Sequence, residues 1–384
     1  MKNVHITGIG HSPFRKHQAS IEALITSVVH EALADANVAA GDVDEIYLGH
    51  FNAGLSAQGF VSSLVLQADS ALRFKPVHRL ENACASGSAA VHAGVRAIQS
   101  GQAKQVLVVG VEKMSECADV GGALARASYL PEESQFDSFA GVFGHIAEQY
   151  FQRFGNQQDA LAMIAEKNHR NGFDNPYAQL RKHFDFDFCR QVSAKNPVVA
   201  GKLKRTDCSP ISDGAAALLL TSEELVAPDK LTAKFTTIAQ ANDFMPMSRR
   251  DIARLEGCEV AWKKALQASK LTLLDLDFVE THDCFTIAEL MQYEAMGLTA
   301  LGEGAKALTE GWTYADGCLP INLSGGLKSK GHPIGATGVS MHALTAMQLT
   351  GRAKSMQLAD CHYGGVFNMG GTGVANYVSI LAAN

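Results

Sequence analysis

The chain has 384 residues, 47% of them hydrophobic and 19% charged, with a formal net charge of −6. That length exceeds what one hydrophobic core usually organises, so two or more domains are expected, and the mild acidity offers nothing to nucleic acid or an anionic membrane surface. Eight cysteines in no paired spacing, an opening segment without a secretory pattern, a C-terminal Leu-Ala-Ala-Asn that matches no retention or peroxisomal address, and no apolar run of bilayer length predict a cytoplasmic protein in a reducing compartment.

Along the chain, Met1–Gly10 reads as a strand. Gly8-Ile9-Gly10 lacks the third glycine of a dinucleotide fingerprint, and His11-Ser12-Pro13 does not open a helix. From Val38 to Phe51 an Asp42-Val43-Asp44 step follows an amphipathic helix and precedes a strand. Cys84 then stands before a run of small residues that reads as a buried helix. The positive end of that helix dipole is expected to favour the thiolate; the other reading is a buried structural cysteine. Ala97–Gly110 reads as a helix ending at Gly101, a lysine, then a strand. Between Glu116 and about Pro197 the strand–helix rhythm stops. That stretch is expected to be an inserted lid or loop domain lining a binding site, or else a cover for a sheet edge. Asp213–Ser222 resumes as a strand.

The second half repeats these features in order. Leu271–Phe285 carries Asp275-Leu276-Asp277 before a strand, Ala346–Ala359 reads as a helix ending at Gly351 followed by a lysine and a strand, and Gly371–Ile380 mirrors Asp213–Ser222. Three matches in one order point to two similar α/β halves packed together. Within this half, His282 and Cys284 of His282-Asp283-Cys284-Phe285 lie two residues apart, so an extended backbone points them the same way. They read as a polar donor beside a thiol; a zinc site lacks a second ligand pair of convincing spacing. The glycine-rich stretch Gly325–Gly338 holds His332 roughly where the first half holds Cys84. Under a pseudo-twofold the two loops face each other, and a histidine facing a cysteine can activate it. The loop Asn368–Gly373 would let backbone N–H groups approach a ligand closely.

Together and in this order, Asn82–Ala90 (NACASGSAA), Val109–Glu116 (VGVEKMSE), Ser212–Leu220 (SDGAAALLL), HDCF, GGLKSKGHPIGATG and NMGGTG resemble the thiolase family, most nearly its sterol carrier protein type. The resemblance implies a five-layer αβαβα thiolase fold of two duplicated α/β halves. Its boundaries fall at 1–116 with 198–227 for the N-terminal half, 117–197 for the inserted loop domain, and 228–384 for the C-terminal half. It implies an acyltransferase that reversibly cleaves 3-ketoacyl-CoA, or condenses acyl-CoA with acetyl-CoA, through an acyl-cysteine. Cys84 would be the nucleophile and His332 its base. Cys284 would be acid and base, with a pKa near neutrality suiting it. His282 and His332 would hold the enolate oxygen, and the N–H groups of Cys84 and Gly370 the tetrahedral intermediate. Ser209 would contact the pantetheine, while Lys202, Lys204 and Arg205 read as a solvated basic turn, with the phosphates as the other reading.

No metal or permanently bound cofactor is implied, coenzyme A and acyl-CoA being substrates. A homodimer or homotetramer is expected, and a small zinc-ribbon/OB-fold partner fits the same type. The sequence also departs from the family pattern. Most members carry Asn-Glu-Ala-Phe where this chain has HDCF, and Cys-x-Gly where it has Asn368-Met369-Gly370, so the second cysteine has moved to Cys284. Cys361 lies seven positions too early to replace it and reads as structural. The competing readings are a ketoacyl synthase, which uses two histidines and no second thiol, a partner-dependent or inactive acyl-CoA-binding subunit, and a carbon–carbon lyase that needs no free coenzyme A.

Overall fold

The structure is a computed structural model and describes residues 2–384. Its strands are β1 (Val4–His11), β2 (Glu45–Gly49), β3 (Val77–Leu80), β4 (Gln105–Glu112), β5 (Val198–Ala200), β6 (Leu203–Lys204), β7 (Gly214–Ser222), β8 (Ala233–Asn242), β9 (Phe278–Glu280), β10 (Tyr363–Gly370) and β11 (Ala375–Ala383). Nine of them hydrogen-bond in the order β3-β2-β4-β7-β1-β8-β11-β10-β9, and β5 and β6 form a separate ribbon. The order is symmetric about its middle. From one end β2 and β4 run parallel, followed by antiparallel steps to β7 and β1. From the other, β9 and β10 run parallel, followed by antiparallel steps to β11 and β8. A lone parallel bridge between Val279 and Ile321 stands where β3 stands in the first half. Among the described residues the half-sheets join only through His5↔Lys234 and Ile6↔Ala233.

The continuously apolar β4 and β7 follow from being covered on both faces. Leu107, Val109, Val111, Ala215, Ala217 and Leu219 pack under the helix Ile21–Ala36. The alternate residues Val106, Val108, Ala216, Leu218 and Leu220 face inward, toward the helices Ser86–Ser100 and Ile334–Leu349. Those two helices form the middle layer, and their small residues let them touch: a Cβ on Gly338 would lie 2.2 Å from Ser88 N, and one on Gly87 2.8 Å from Gly335 O. Both reach β11, where His92 Nε2 and His342 Nε2 meet Ser379 Oγ at 2.9 and 2.8 Å. The helix Glu256–Ser269 closes the far side, with Trp262 over Gly365. The result is five layers, with the starts of the two central helices meeting at the centre.

Two local expectations change. The strand read after Lys354 is instead a 3₁₀ turn (Lys354–Met356), and the next strand begins at Tyr363. Lys354 and Asp360 both have positive φ (55° and 51°), which interrupts extended backbone. Lys204 is not solvated: it is buried, pairs with Asp207 at 3.0 Å and donates to Gln158 at 2.6 Å, while Lys202 and Arg205 stay exposed.

The segment between β4 and β5 holds two long helices, Phe139–Phe154 and Gln158–Phe173. The second is wedged against the other half. Its buried Lys167 pairs with buried Glu289 at 2.7 Å, and Asn168 donates to Asp283 and Glu289 at 2.7 and 2.6 Å. Among the described residues no helix is long and apolar enough to cross a membrane.

Candidate active site

The turn from β3 into the Ser86–Ser100 helix is sharp, because Ala83 takes a left-handed conformation (φ 48°). Ser86 holds it, its hydroxyl donating to Ala83 O at 2.6 Å and accepting from Asn82 N at 3.0 Å. Cys84 is thereby pushed inward and is 4% exposed. The second half answers with a matching turn: Gly331 (φ 113°) and Pro333 flank His332 at the start of the Ile334–Leu349 helix. His282, after β9, completes the group. A ring nitrogen of His282, one of His332 and the Cys84 sulfur lie within 4.8 Å of one another, and the rings meet edge to face at 5.2 Å.

Cys284 is also buried, and its carbonyl accepts from Ser209 N at 3.0 Å. Cys84, Cys284, His332 and Ser209 border one cavity of about 170 Å³, whose remaining wall is mostly apolar. Leu124, Phe139 and Ala140 of the inserted segment form part of that wall. Phe143 stacks on Phe285 at 4.5 Å and meets Phe139 edge-on at 5.4 Å. Gly370 lies behind the Cys84 turn, bordering a broader surface groove; a Cβ there would meet Asn82 O at 2.1 Å. The backbone N–H groups directed at the Cys84 sulfur are those of Gly371 and Cys84 itself.

Burial dominates the electrostatics. It pushes the Cys84 thiol up to about 12, although the Gly371 and Cys84 N–H groups pull the other way. The expected thiolate at a helix start is therefore overturned: desolvation of the charge outweighs the dipole. Cys284 is held well above the ordinary thiol range by burial, then by Cys84 and Asp283, so it is not near neutrality. Burial lowers His332 to about 3 and holds His282 well below its ordinary value, with neighbouring positive charge acting in the same direction. The resting site thus holds neutral thiols and neutral imidazoles.

Several residues that the sequence did not single out support this group. Asn368 Nδ2 lies 2.8 Å from His282 Nδ1 and 3.2 Å from Cys84 O. Thr337 Oγ1 lies 2.7 Å from His332 Nδ1. Asp283 accepts from Leu327 N and Lys328 N at 2.5 and 3.1 Å, tying the HDCF loop to the segment that carries His332. For Asn368 a signal was present, since it stands where the family pattern carries a cysteine. Cys84, His282 and His332 offer three metal-ligand atoms, without Cys284. However, the nitrogen that His282 turns toward Asn368 faces an amide donor, so its other nitrogen carries a proton rather than the lone pair a metal needs. The donor set suits a nucleophile and its base better than zinc.

The family description "Thiolase, N-terminal domain" matches residues 4–224, and "Thiolase C-terminal domain-like" matches residues 239–383. Acetyl-CoA acetyltransferase of Methanothermobacter thermautotrophicus is 37% identical over 388 residues, spanning 100% of both chains. Sterol carrier protein 2 of Homo sapiens is 31% identical over 382 residues, spanning 93% of this chain and 68% of that protein. Among solved structures, the Ltp2-ChsH2(DUF35) aldolase superposes with a TM-score of 0.85 at 22% identity, covering 100% of this chain and 98% of that one. Acetyl-CoA acetyltransferase from Syntrophomonas wolfei does so with a TM-score of 0.73 at 18% identity, covering 100% of both. These two share the fold. The chain belongs to the thiolase family of acyltransferases.

Proposed function

We propose that the protein cleaves 3-ketoacyl-CoA with free coenzyme A, and runs the reverse Claisen condensation with acetyl-CoA, through an acyl group carried on Cys84. The observation that carries this reading is the gathering of Cys84, His332 and His282 within 4.8 Å beside a cavity that a second thiol, Cys284, also borders. In cleavage His332 takes the Cys84 proton as the sulfur attacks the 3-keto carbonyl, the C2–C3 bond breaks to leave the acyl-cysteine and the acetyl-CoA enolate, and free coenzyme A then takes the acyl group. In condensation the sulfur attacks the thioester carbonyl of the first acyl-CoA and coenzyme A departs. In the degradative direction the protonated Cys284 supplies a proton to the acetyl-CoA enolate, which suits a thiol that burial keeps neutral. In the synthetic direction Cys284 first gives its proton to the departing coenzyme A, and the thiolate so formed removes the α-proton of acetyl-CoA. His282 and His332 face the enolate oxygen, and the N–H groups of Cys84 and Gly370 serve the tetrahedral intermediate. Ser209 meets the pantetheine arm.

The same reading takes coenzyme A as substrate, with no resident metal or cofactor, in a cytoplasmic homodimer or homotetramer of lipid metabolism. It keeps the division at 1–116 with 198–227, 117–197 and 228–384. A small zinc-ribbon/OB-fold partner is part of the proposal. The Ltp2 relative is named together with a second component, ChsH2(DUF35), and as an aldolase.

The test is coenzyme A-dependent cleavage of a panel of 3-ketoacyl-CoA substrates, with Cys84→Ala as control. Cleavage lost in that variant supports the reaction. Cleavage that proceeds without free coenzyme A identifies a lyase instead. No cleavage by folded protein that binds coenzyme A turns the reading to a partner-dependent subunit.

A further inference from the structure

We propose that Asn368 is a positioning residue that fixes the proton of His282 on Nε2, so that the two site histidines face Cys84 in opposite tautomers. The chemical consequence rests on the reaction proposed above; the tautomers rest on hydrogen bonds alone. Asn368 Nδ2 lies 3.2 Å from the Cys84 carbonyl oxygen. A carbonyl only accepts, so the amide must present its NH₂ to it, which sets the amide's orientation. The same NH₂ lies 2.8 Å from His282 Nδ1, and an NH₂ only donates. His282 Nδ1 therefore holds the lone pair, and the proton of the neutral ring sits on Nε2. That Nε2 is buried with no partner among the described residues.

His332 is set the other way. Its Nδ1 lies 2.7 Å from Thr337 Oγ1, whose hydroxyl donates to Pro333 O at 3.1 Å. The Pro333 carbonyl can only accept, and when it takes the hydroxyl proton the hydroxyl accepts from His332 Nδ1–H. The lone pair of His332 is left on Nε2, which is likewise buried and unpartnered. One ring thus presents an acceptor for the Cys84 proton, and the other a standing donor for an oxygen that gains charge. Asn368 cannot swing away: it is fully buried and sits in β10 opposite Tyr377.

Proton–nitrogen correlation spectra of the full-length protein carrying nitrogen-15 histidine read the tautomers directly, with His282→Gln supplying the assignment. We expect wild-type His282 protonated at Nε2. Asn368→Asp should move the proton to Nδ1, because a carboxylate accepts where the amide donated, and Asn368→Ala should abolish the preference. Wild-type His282 protonated at Nδ1, or a tautomer unmoved by Asn368→Asp, overturns the proposal. In turnover both variants should lose about 10²–10³-fold in kcat, the size of one lost oxyanion donor, with KM changed by less than about threefold. A loss confined to KM also overturns it. Wild-type protein that shows the Nε2 proton yet performs no thioester chemistry refutes the proposed reaction and leaves the positioning role standing.

Discussion

Lowering the pH from about 7.5 to about 5.5 should charge the histidines of the unfolded chain while the native protein keeps at least six of them neutral. His11, His92, His169, His282, His332 and His342 are all buried; His5, also lowered by burial, adds to the same side, and Glu294, raised by burial, subtracts. Burial is the main cause that lowers each below the ordinary 6.5: His11, His169 and His332 to about 3, His342 to about 4, and His92 and His282 well below. A depressed native value means that stability is complete above pH 6.5 and is lost as the pH falls. One unit below 6.5 the unfolded imidazole is about nine-tenths protonated, so each native ring costs about 1.4 kcal/mol, however low its own value. Six rings cost about 8 kcal/mol. Asp283 works in the opposite direction. Burial, then Glu289, raise its carboxyl, and the proton it gains in the native state offsets about one or two of the six rings. The net loss, about 5–7 kcal/mol, is comparable with the whole stability of many domains. Denaturant melts at the two pH values measure the loss. Proton uptake on unfolding at the lower pH, expected at about four to five protons, checks its origin. A loss under about 2 kcal/mol with uptake of about one proton or fewer would refute the picture of rings held neutral by burial.

Cys284→Ala should still acquire an acyl group on Cys84, seen as a mass increase, while carbon–carbon bond chemistry stops; retained turnover would move the acid–base role elsewhere, with Cys361 tested next. Lys167→Met leaves Glu289 buried without its cation and should cost about 3–5 kcal/mol of stability. Adding Glu289→Gln should recover most of that loss, and no recovery would show that the ion pair is not its source. Phe139→Ala removes an aromatic wall of the cavity and should shift the kcat/KM ratio toward longer acyl chains, by about 1–3 kcal/mol per methylene newly accommodated. An unchanged ratio across a chain-length series would place the acyl group elsewhere.

The duplication is legible in the sequence because each half repeats an Asp-apolar-Asp step ahead of equivalent strands, β2 and β9, and a glycine turn ahead of β7 and β11. Cys84 and His332 are legible for the same reason, each standing just before an equivalent helix. What escapes the sequence is whatever depends on contact between distant segments. Asn368 is 284 positions from Cys84, and no local pattern announces a bond between them. The charge state of Cys84 escapes too. A helix start is a local feature, whereas the burial that pushes the thiol up comes from both halves closing over it. Lys204 looks like part of a basic surface turn until Asp207 and Gln158 are seen to enclose its ammonium. The run after Lys354 has strand-like composition, but two left-handed residues break it.

The mirrored strand order has a consequence for how the two halves can differ. Two separate copies of such a unit, meeting across a twofold axis, would have set the same helix start against itself, so any nucleophile there would have faced a second nucleophile and any base a second base. Two copies joined in one chain are free of that constraint, because each can then vary alone. In the proposed reaction one position takes the acyl group and the other the proton, at the boundary between the two halves. The proposed division of labour between Cys84 and His332 asks of the architecture only that two equivalent positions be allowed to differ.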